Sequence, residues 1–302
     1  MRVLITGATG LIGSKISQLC RDKGIEVHYL STSKEKLEKK KDYKGFYWNP
    51  NENKINTDAL EGVDAIINLV GASIAERWTP EQKKKILKSR TETADLLYKC
   101  LQENEHQVKN IVSASAIGIY PSSLEKLYTE EDKGVDDSFV GEVVVKWEEA
   151  VDNFKDLGID VAKIRIGLVL AEDGGVLQKL KEPVNFNVGS PLGNGKQWQS
   201  WIHIDDISGI FMFALENQLT GIYNAVAPNP VTNKELVKQV ASQMGKSVWL
   251  PNVPKFALKL ALGEMSHIVL SSQLVSSDKI ERKGYTFKYV NLAKALQDLI
   301  SK

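Results

Sequence analysis

Met1-Arg-Val-Leu-Ile-Thr-Gly-Ala-Thr-Gly-Leu-Ile-Gly13 opens the chain, and its reading decides the fold. Val3, Leu4 and Ile5 form an apolar run with β-branched members, which predicts a buried strand. Gly7, Gly10 and Gly13 follow at three-residue spacing. An amphipathic pattern begins at once, with Ile12, Ile16, Leu19 and Cys20 on one face. Strand, glycine turn and helix in that order predict an anion site. Backbone N–H groups and the positive end of the helix dipole would face the pyrophosphate of a dinucleotide. Gly7, Thr9, Gly10, Leu11 and Ile12 are the candidate contacts. One glycine permits the tight turn, one lets the phosphate approach the backbone, and one lets helix and strand pack closely.

Outward from this stretch, Ile25–Leu30 predicts a second strand. Dinucleotide folds select their cofactor at the end of that strand, where a carboxylate binds the ribose 2′-hydroxyl of NAD. This chain carries Ser31-Thr-Ser-Lys34 instead and has no carboxylate until Glu35. Ser31, Thr32 and Lys34 therefore favour the 2′-phosphate of NADP. The same composition suits an ordinary polar turn before a Lys-rich helix. Val63–Val70 reads as a central parallel strand, which places Leu69, Val70, Gly71 and Ala72 near the ribose and nicotinamide side. Thr79 and Pro80 predict the start of a long helix running through Leu101. Arg77 and Arg90 are both candidates for a cofactor phosphate, with Arg77 favoured because it follows the strand loop directly.

Further strands are expected at Phe46–Trp48, Val108–Ser115, Ile159–Val169, Trp201–Ile204 and Tyr223–Val226. Further helices are expected at Gly141–Phe154, Ile207–Leu215 (capped by Asp205 or Asp206), Lys234–Met244 (capped by Thr232), Phe256–Gly263 and Leu292–Ile300. Residues 171–200 read as loops. Alternating strands and helices predict an α/β fold, a Rossmann-like doubly wound parallel sheet. The expected division is a cofactor domain of residues 1–170 plus about 205–227. A smaller substrate-side domain takes about 171–204 plus 228–302.

The chain has 302 residues, 42% of them hydrophobic and 25% charged, with a formal net charge of +1. That balance gives no global field to attract nucleic acid or an anionic membrane. Cys20 and Cys100 fall on apolar helix positions, which suits a reducing cytoplasm. No Cys/His spacing suggests a metal. No signal peptide is evident, and no apolar run approaches the ~18–20 residues that span a bilayer. A cytoplasmic location and a small-molecule substrate are expected, with a homodimer as an open analogy.

Thr6–Gly13, Tyr47–Pro50, Asn68–Gly71, Arg77–Thr79, Ser89-Arg90, Ser113–Gly118, Pro191–Gly195, Ser200–His203, Leu262–Met265 and Ser272-Gln273 carry a more specific likeness. On these the chain resembles the atypical, epimerase-like subgroup of extended short-chain dehydrogenase/reductases, within the NAD(P)-dependent epimerase/dehydratase family. Some members are described as cell-division-inhibitor-like and carry a small family-specific C-terminal domain. The resemblance covers essentially the whole chain. It implies a Rossmann-like domain, NADP binding, and oxidoreductase or epimerase chemistry on an unknown substrate. A non-catalytic NADP-binding redox sensor is the alternative.

That alternative rests on a departure from the pattern the resemblance implies. Short-chain dehydrogenases use a Tyr as general acid/base, with a Lys four residues later to lower its pKa, and a Ser to orient the substrate oxygen. None of the nine tyrosines here has Lys at the fourth following position. Aligning Glu148 with the acidic residue usual in that helix puts Val140 and Val144 where Tyr and Lys belong. Lys146 lies on the same helix about 200° around. Ser113, Ser115 and Tyr120 are the remaining catalytic candidates, although strict counting back from Tyr120 gives Ala116. The serines equally suit a strand end whose hydroxyls satisfy local backbone, and Tyr120 suits packing. Trp198, Trp201 and His203, with Gln197 and Gln199, are candidate walls of a substrate pocket, or alternatively core residues.

Overall fold

The computed structural model describes residues 1–300. The N-terminal half alternates as expected. β1 (Arg2–Thr6) leads through the glycine turn into α1 (Leu11–Asp22), and β2 (Glu26–Ser31) follows. β3 (Tyr43–Asn49) and the short β4 (Lys54–Ile55) form an antiparallel edge. β5 (Ala65–Asn68) is buried along its whole length, as a central strand covered on both faces requires. α2 (Pro80–Glu103) starts with Thr79 accepting from the Gln82 N–H and with Pro80 in the first turn. β6 (Asn110–Ala116), the short β7 (Leu127–Tyr128), α3 (Phe139–Asp152) and β8 (Asp160–Ile166) complete this half.

Three expectations fail, two of them beyond this point. The apolar run to Val169 is not one strand. Gly167 breaks it, and β9 (Leu168–Ala171) joins a different sheet. The cause is close approach: a Cβ on Gly167 would sit 2.3 Å from the Ser200 carbonyl oxygen. Residues 171–200 are not all loop, because α4 (Gly175–Asn185) lies within them. Its apolar residues Val176, Leu177, Leu180 and Val184 have helical spacing, but Gly174, Gly175 and Pro183 mask it. The Lys-rich stretch after Ser31 also makes only a single 3₁₀ turn, Lys34–Lys36, where a helix was the expectation.

The C-terminal half begins with β10 (Trp198–Gln199), β11 (Trp201–His203) and α5 (Ile204–Glu216). β12 (Gly221–Ala225), β13 (Val231–Thr232) and α6 (Asn233–Gln243) follow, with Thr232 capping α6. The chain then forms α7 (Lys255–Leu262), α8 (Ser266–Leu270), β14 (Leu274–Val275), α9 (Asp278–Arg282) and α10 (Leu292–Ile300). No helix among the described residues is long and apolar enough to cross a membrane.

The main sheet runs β12-β8-β6-β5-β1-β2-β3-β4, parallel except for the β3–β4 edge. From β1 the chain proceeds outward to β2 and β3, then returns to β5 and proceeds the other way. The order therefore reverses between β1 and β5, and the crevice outside their C-terminal ends is where such sheets bind ligands. Val3, Leu4, Ile5, Ile66, Ile67, Ile111, Val112 and Ile164 form the sheet's fully buried centre. α1 packs on α5 and α2 on α3. Cys20 and Met212 bring their sulfurs to 3.6 Å across the first pair, and Cys100 is also buried. A second core around Leu177, Val184, Trp201, Val240 and Leu296 joins α4, α6 and α10.

Candidate functional site

The glycine turn has the geometry of an anion cradle. Gly7 sits at φ 73°, in the left-handed region, and accepts from the Gly10 N–H at 3.0 Å. A Cβ on Gly13 would lie 2.1 Å from the Gly7 carbonyl oxygen, so only glycine lets α1 start this close to the turn. No side chain caps α1, and its first turn holds no acidic residue. The N–H groups of Leu11 and Ile12 in that first turn have no intrahelical acceptors. These donors and the helix dipole form the place a pyrophosphate fits.

A hydrogen-bonded row ties together the strand ends beside it. The Thr6 hydroxyl donates to Asn68 Oδ1 at 2.7 Å and accepts from the Leu69 N–H at 3.1 Å. Asn68 Nδ2 donates to Ser113 Oγ at 3.0 Å. The row holds Leu69–Gly71 at the mouth of the crevice. Sequence reading missed the roles of Thr6 and Asn68, although both stand at the last position of their strands. Ser113 is a member of this row and donates onward to the Ala114 carbonyl, so its hydroxyl is committed inside the sheet.

At the end of β2, Ser31 is buried and its hydroxyl bonds the Ser33 backbone, while Thr32 and Lys34 are exposed. The Lys34 ammonium lies 5.1 Å over the Tyr47 ring and has no ion pair among the described residues. Arg77 is exposed in the loop before α2. Arg90 is the arginine set against the crevice: a Cβ on Gly71 would touch its guanidinium at 3.0 Å. It donates to the Ala72 and Ile86 carbonyls and lies over the Trp147 ring. Burial pushes its pKa down to about 10, which leaves it charged at neutral pH.

Ser115 and Tyr120 belong to a buried polar network and do not open onto the crevice. Ser115 Oγ donates to Glu148 Oε1 at 2.5 Å, and Arg165 clamps the same carboxylate through two nitrogens at 2.8 and 3.0 Å. The Tyr120 hydroxyl donates to Asn224 Oδ1 and accepts from Arg165. It is fully buried, and that burial raises its pKa, so it stays a neutral phenol. Lys146 is exposed and pairs with Glu142.

Trp201 and His203 are not pocket walls either. Trp201 is fully buried in the second core, with its indole N–H on the Asn229 carbonyl. His203, not Asp205 or Asp206, caps α5: its Nδ1 accepts from the Asp205 N–H at 3.0 Å. The ring stacks on Tyr289 at 3.8 Å, and burial holds its pKa down to about 4. Asp206 turns away to accept from the Lys288 and Tyr289 backbone. Gln197 is likewise buried, bonded to the Leu192 and Val269 carbonyls.

The space at the C-terminal ends of β6 and β8 is a cavity of ≈ 160 Å³, walled by Ala116, Gly118, Val140, Gly167, Trp198 and Gln199. Val140 therefore faces the cavity from α3. A broad, open cleft of ≈ 1200 Å³ adjoins it between the starts of α2 and α3 and the α7–α8 segment. His267 and Ser271 line both spaces. Nothing in the sequence marks His267, which stands two residues after the Leu262-Gly-Glu-Met265 stretch.

Residues 3–139 match the NAD dependent epimerase/dehydratase family, and residues 253–299 match a domain of unknown function, DUF1731. An epimerase family protein of Staphylococcus aureus (strain MRSA252) is 36% identical over 304 residues, 99% of each chain. The crystal structure of human epimerase family protein SDR39U1 (isoform 2) with NADPH superposes at a TM-score of 0.85 with 30% identity, covering 100% of this chain and 99% of that one. A nucleoside-diphosphate sugar epimerase from Corynebacterium glutamicum gives a TM-score of 0.77 with 31% identity, covering 98% of this chain and 57% of that one.

Proposed function

The chain belongs to the NAD dependent epimerase/dehydratase family, and from that premise we propose that it is an NADP-dependent oxidoreductase or epimerase-like enzyme acting on a small molecule without a Tyr–Lys pair. The carrying observation is the uncapped N-terminus of α1, with its unpaired N–H groups beside Gly7 and Gly10. In this reading, Leu11 and Ile12 hold the pyrophosphate through their N–H groups. Ser31, Thr32 and Lys34 receive the 2′-phosphate, as the NADPH of the human relative supports. Leu69–Gly71, steadied by the Thr6–Asn68–Ser113 row, border the nicotinamide ribose, and Arg90 adds a cation at Gly71. When bound, the nicotinamide supplies a hydride acceptor or donor. Ala116, Val140 and Gly167 exclude water from the reacting carbon. Residues 1–170 plus about 205–227 form the cofactor domain, and the rest closes the substrate side. The open cleft of ≈ 1200 Å³ beside the cavity gives a small-molecule substrate room to enter, which supports an enzyme over a redox sensor. The test is loss of NADPH absorbance with a panel of aldehydes, ketones and nucleoside-diphosphate sugars. Steady consumption with one class supports the reading, and tight NADPH binding with no consumption supports the sensor.

A further inference from the structure

The enzyme reading leaves the cavity without a proton carrier. Val140 faces it from the position where the resemblance implies Tyr, and Ser113, Ser115 and Tyr120 are all bonded elsewhere. His267 is the titratable side chain that lines this cavity and the open cleft alike. It enters from α8, in the C-terminal part of the chain. Its Nε2 lies 3.1 Å from Asp136 Oδ1. Asp136 is buried, with side-chain exposure of 5% against 36% for His267. The loop before α3 holds Asp136 in place. Its N–H donates to the Ile119 carbonyl, its Oδ1 accepts from the Ser138 N–H, and Gly141 packs directly on its backbone. Two hydroxyls that line the cleft, on Ser138 and Ser271, are buried without a partner, and Ser271 also borders the cavity. Buried hydroxyls of that kind call for a partner that the protein itself does not supply, and a bound ligand or water would meet it.

We propose that His267, oriented by Asp136, is the catalytic acid/base of this site, in place of the absent tyrosine. The proposal rests on the oxidoreductase reading above. A buried carboxylate on Nε2–H fixes the imidazole tautomer and leaves Nδ1 as the basic nitrogen. Nδ1 has no hydrogen-bond partner among the described residues. In the oxidising direction the O–H proton of a substrate alcohol would pass to Nδ1, and a bound nicotinamide would supply the acceptor for the C–H hydride. The substrate leaves as a carbonyl, and the reverse step returns both. The apolar walls of the cavity suit a carbonyl on an aromatic or aliphatic group.

The test uses the full-length protein with NADPH, taking benzaldehyde and phenanthrenequinone as probes. General acid–base groups contribute roughly 10²- to 10⁴-fold. His267→Ala should therefore lower kcat at least about a hundredfold with NADPH affinity unchanged. Added imidazole should restore part of the rate, which a structural histidine would not allow. Asp136→Asn, a positioning change, should lower kcat while KM stays. A second readout needs no turnover: saturating NADP should slow diethylpyrocarbonate labelling of His267 severalfold. His106, before β6 at the other end of the sheet, should be unaffected. Retained kcat in His267→Ala, a lost rate that imidazole does not restore, or labelling indifferent to NADP would each overturn His267 alone. Wild-type protein that binds NADPH but consumes it with neither probe nor any aldehyde, ketone or nucleoside-diphosphate sugar of the panel above would overturn the oxidoreductase reading, and this proposal with it.

Discussion

Gly13→Ala probes the cradle at its tightest point. The added methyl would sit 2.1 Å from the Gly7 carbonyl oxygen and 2.9 Å from the Ala8 Cα. Both obstacles are backbone, so no rotamer relieves them. The start of α1 must move by roughly 1 Å to reach the ~3.3 Å of close C···O contact. Overpacking of this kind costs about 1–3 kcal/mol. Alanine regains at most ~1 kcal/mol of helix propensity. The clash wins, and urea unfolding should show a net loss of roughly 1–2 kcal/mol. The same shift pulls the Leu11 and Ile12 N–H groups away from a bound phosphate. One lost charge-assisted hydrogen bond is worth ~1.5–3 kcal/mol, so calorimetry should find NADPH affinity lower by about ten- to a hundredfold. Gly10→Ala is the control. Its Cβ would meet only the Gly7 oxygen at 3.3 Å, and its φ of −82° suits any residue. Its stability should fall by less than about 1 kcal/mol. Gly13→Ala with wild-type stability and wild-type NADPH affinity would refute the reasoning.

Three other outcomes follow from the buried groups. Glu148→Leu strands the Arg165 guanidinium and should cost about 3–5 kcal/mol, while Glu148→Leu with Arg165→Met should cost less. Urea midpoints decide this, and a single variant within 1 kcal/mol of wild type would contradict it. His203 is held neutral, with its folded pKa near 4 against 6.5 unfolded. Between those values the unfolded chain binds the extra proton, so this contribution is full above pH 6.5 and is lost as pH falls toward 4. His203→Asn, which preserves a capping side chain, should flatten the pH dependence of the melting temperature across that window. An unchanged slope would remove His203 as its cause. Trp201→Ala should cost about 3–5 kcal/mol as a core truncation, whereas Trp198→Ala should alter probe turnover with a much smaller stability loss. Equal losses would show that Trp198 is also core.

The cofactor half of the fold was legible because its signals are local. Val3–Ile5, the three glycines and the Thr79-Pro80 start each act over a few residues, and the structure builds them as read. The misreadings came where tertiary contact decides. Gly167 breaks an apolar run because the Ser200 backbone passes beside it, and no pattern in the run announces that neighbour. α4 was hidden behind glycines and a proline that normally end helices. The substrate side failed for the same reason. Trp201, His203, Ser115 and Tyr120 are types that suit a pocket or a core equally, and their hydrogen bonds to Asn229, Asp205, Glu148 and Asn224 commit them to the core. His267 and Asp136 are distant in sequence, and only the packing of α8 against the start of α3 makes them a pair.

The central claim, an NADP site built from the α1 turn and the end of β2, is tested most directly by thermal-shift titration with NADPH and NADH. The titration compares the wild type with a Ser31→Asp/Lys34→Glu variant. A cofactor at about a hundred times its Kd adds roughly 2.7 kcal/mol of apparent stability. The account predicts a clear shift with NADPH, a weaker one with NADH, and loss of that preference in the variant. No shift with either cofactor, or a preference for NADH in the wild type, would contradict it.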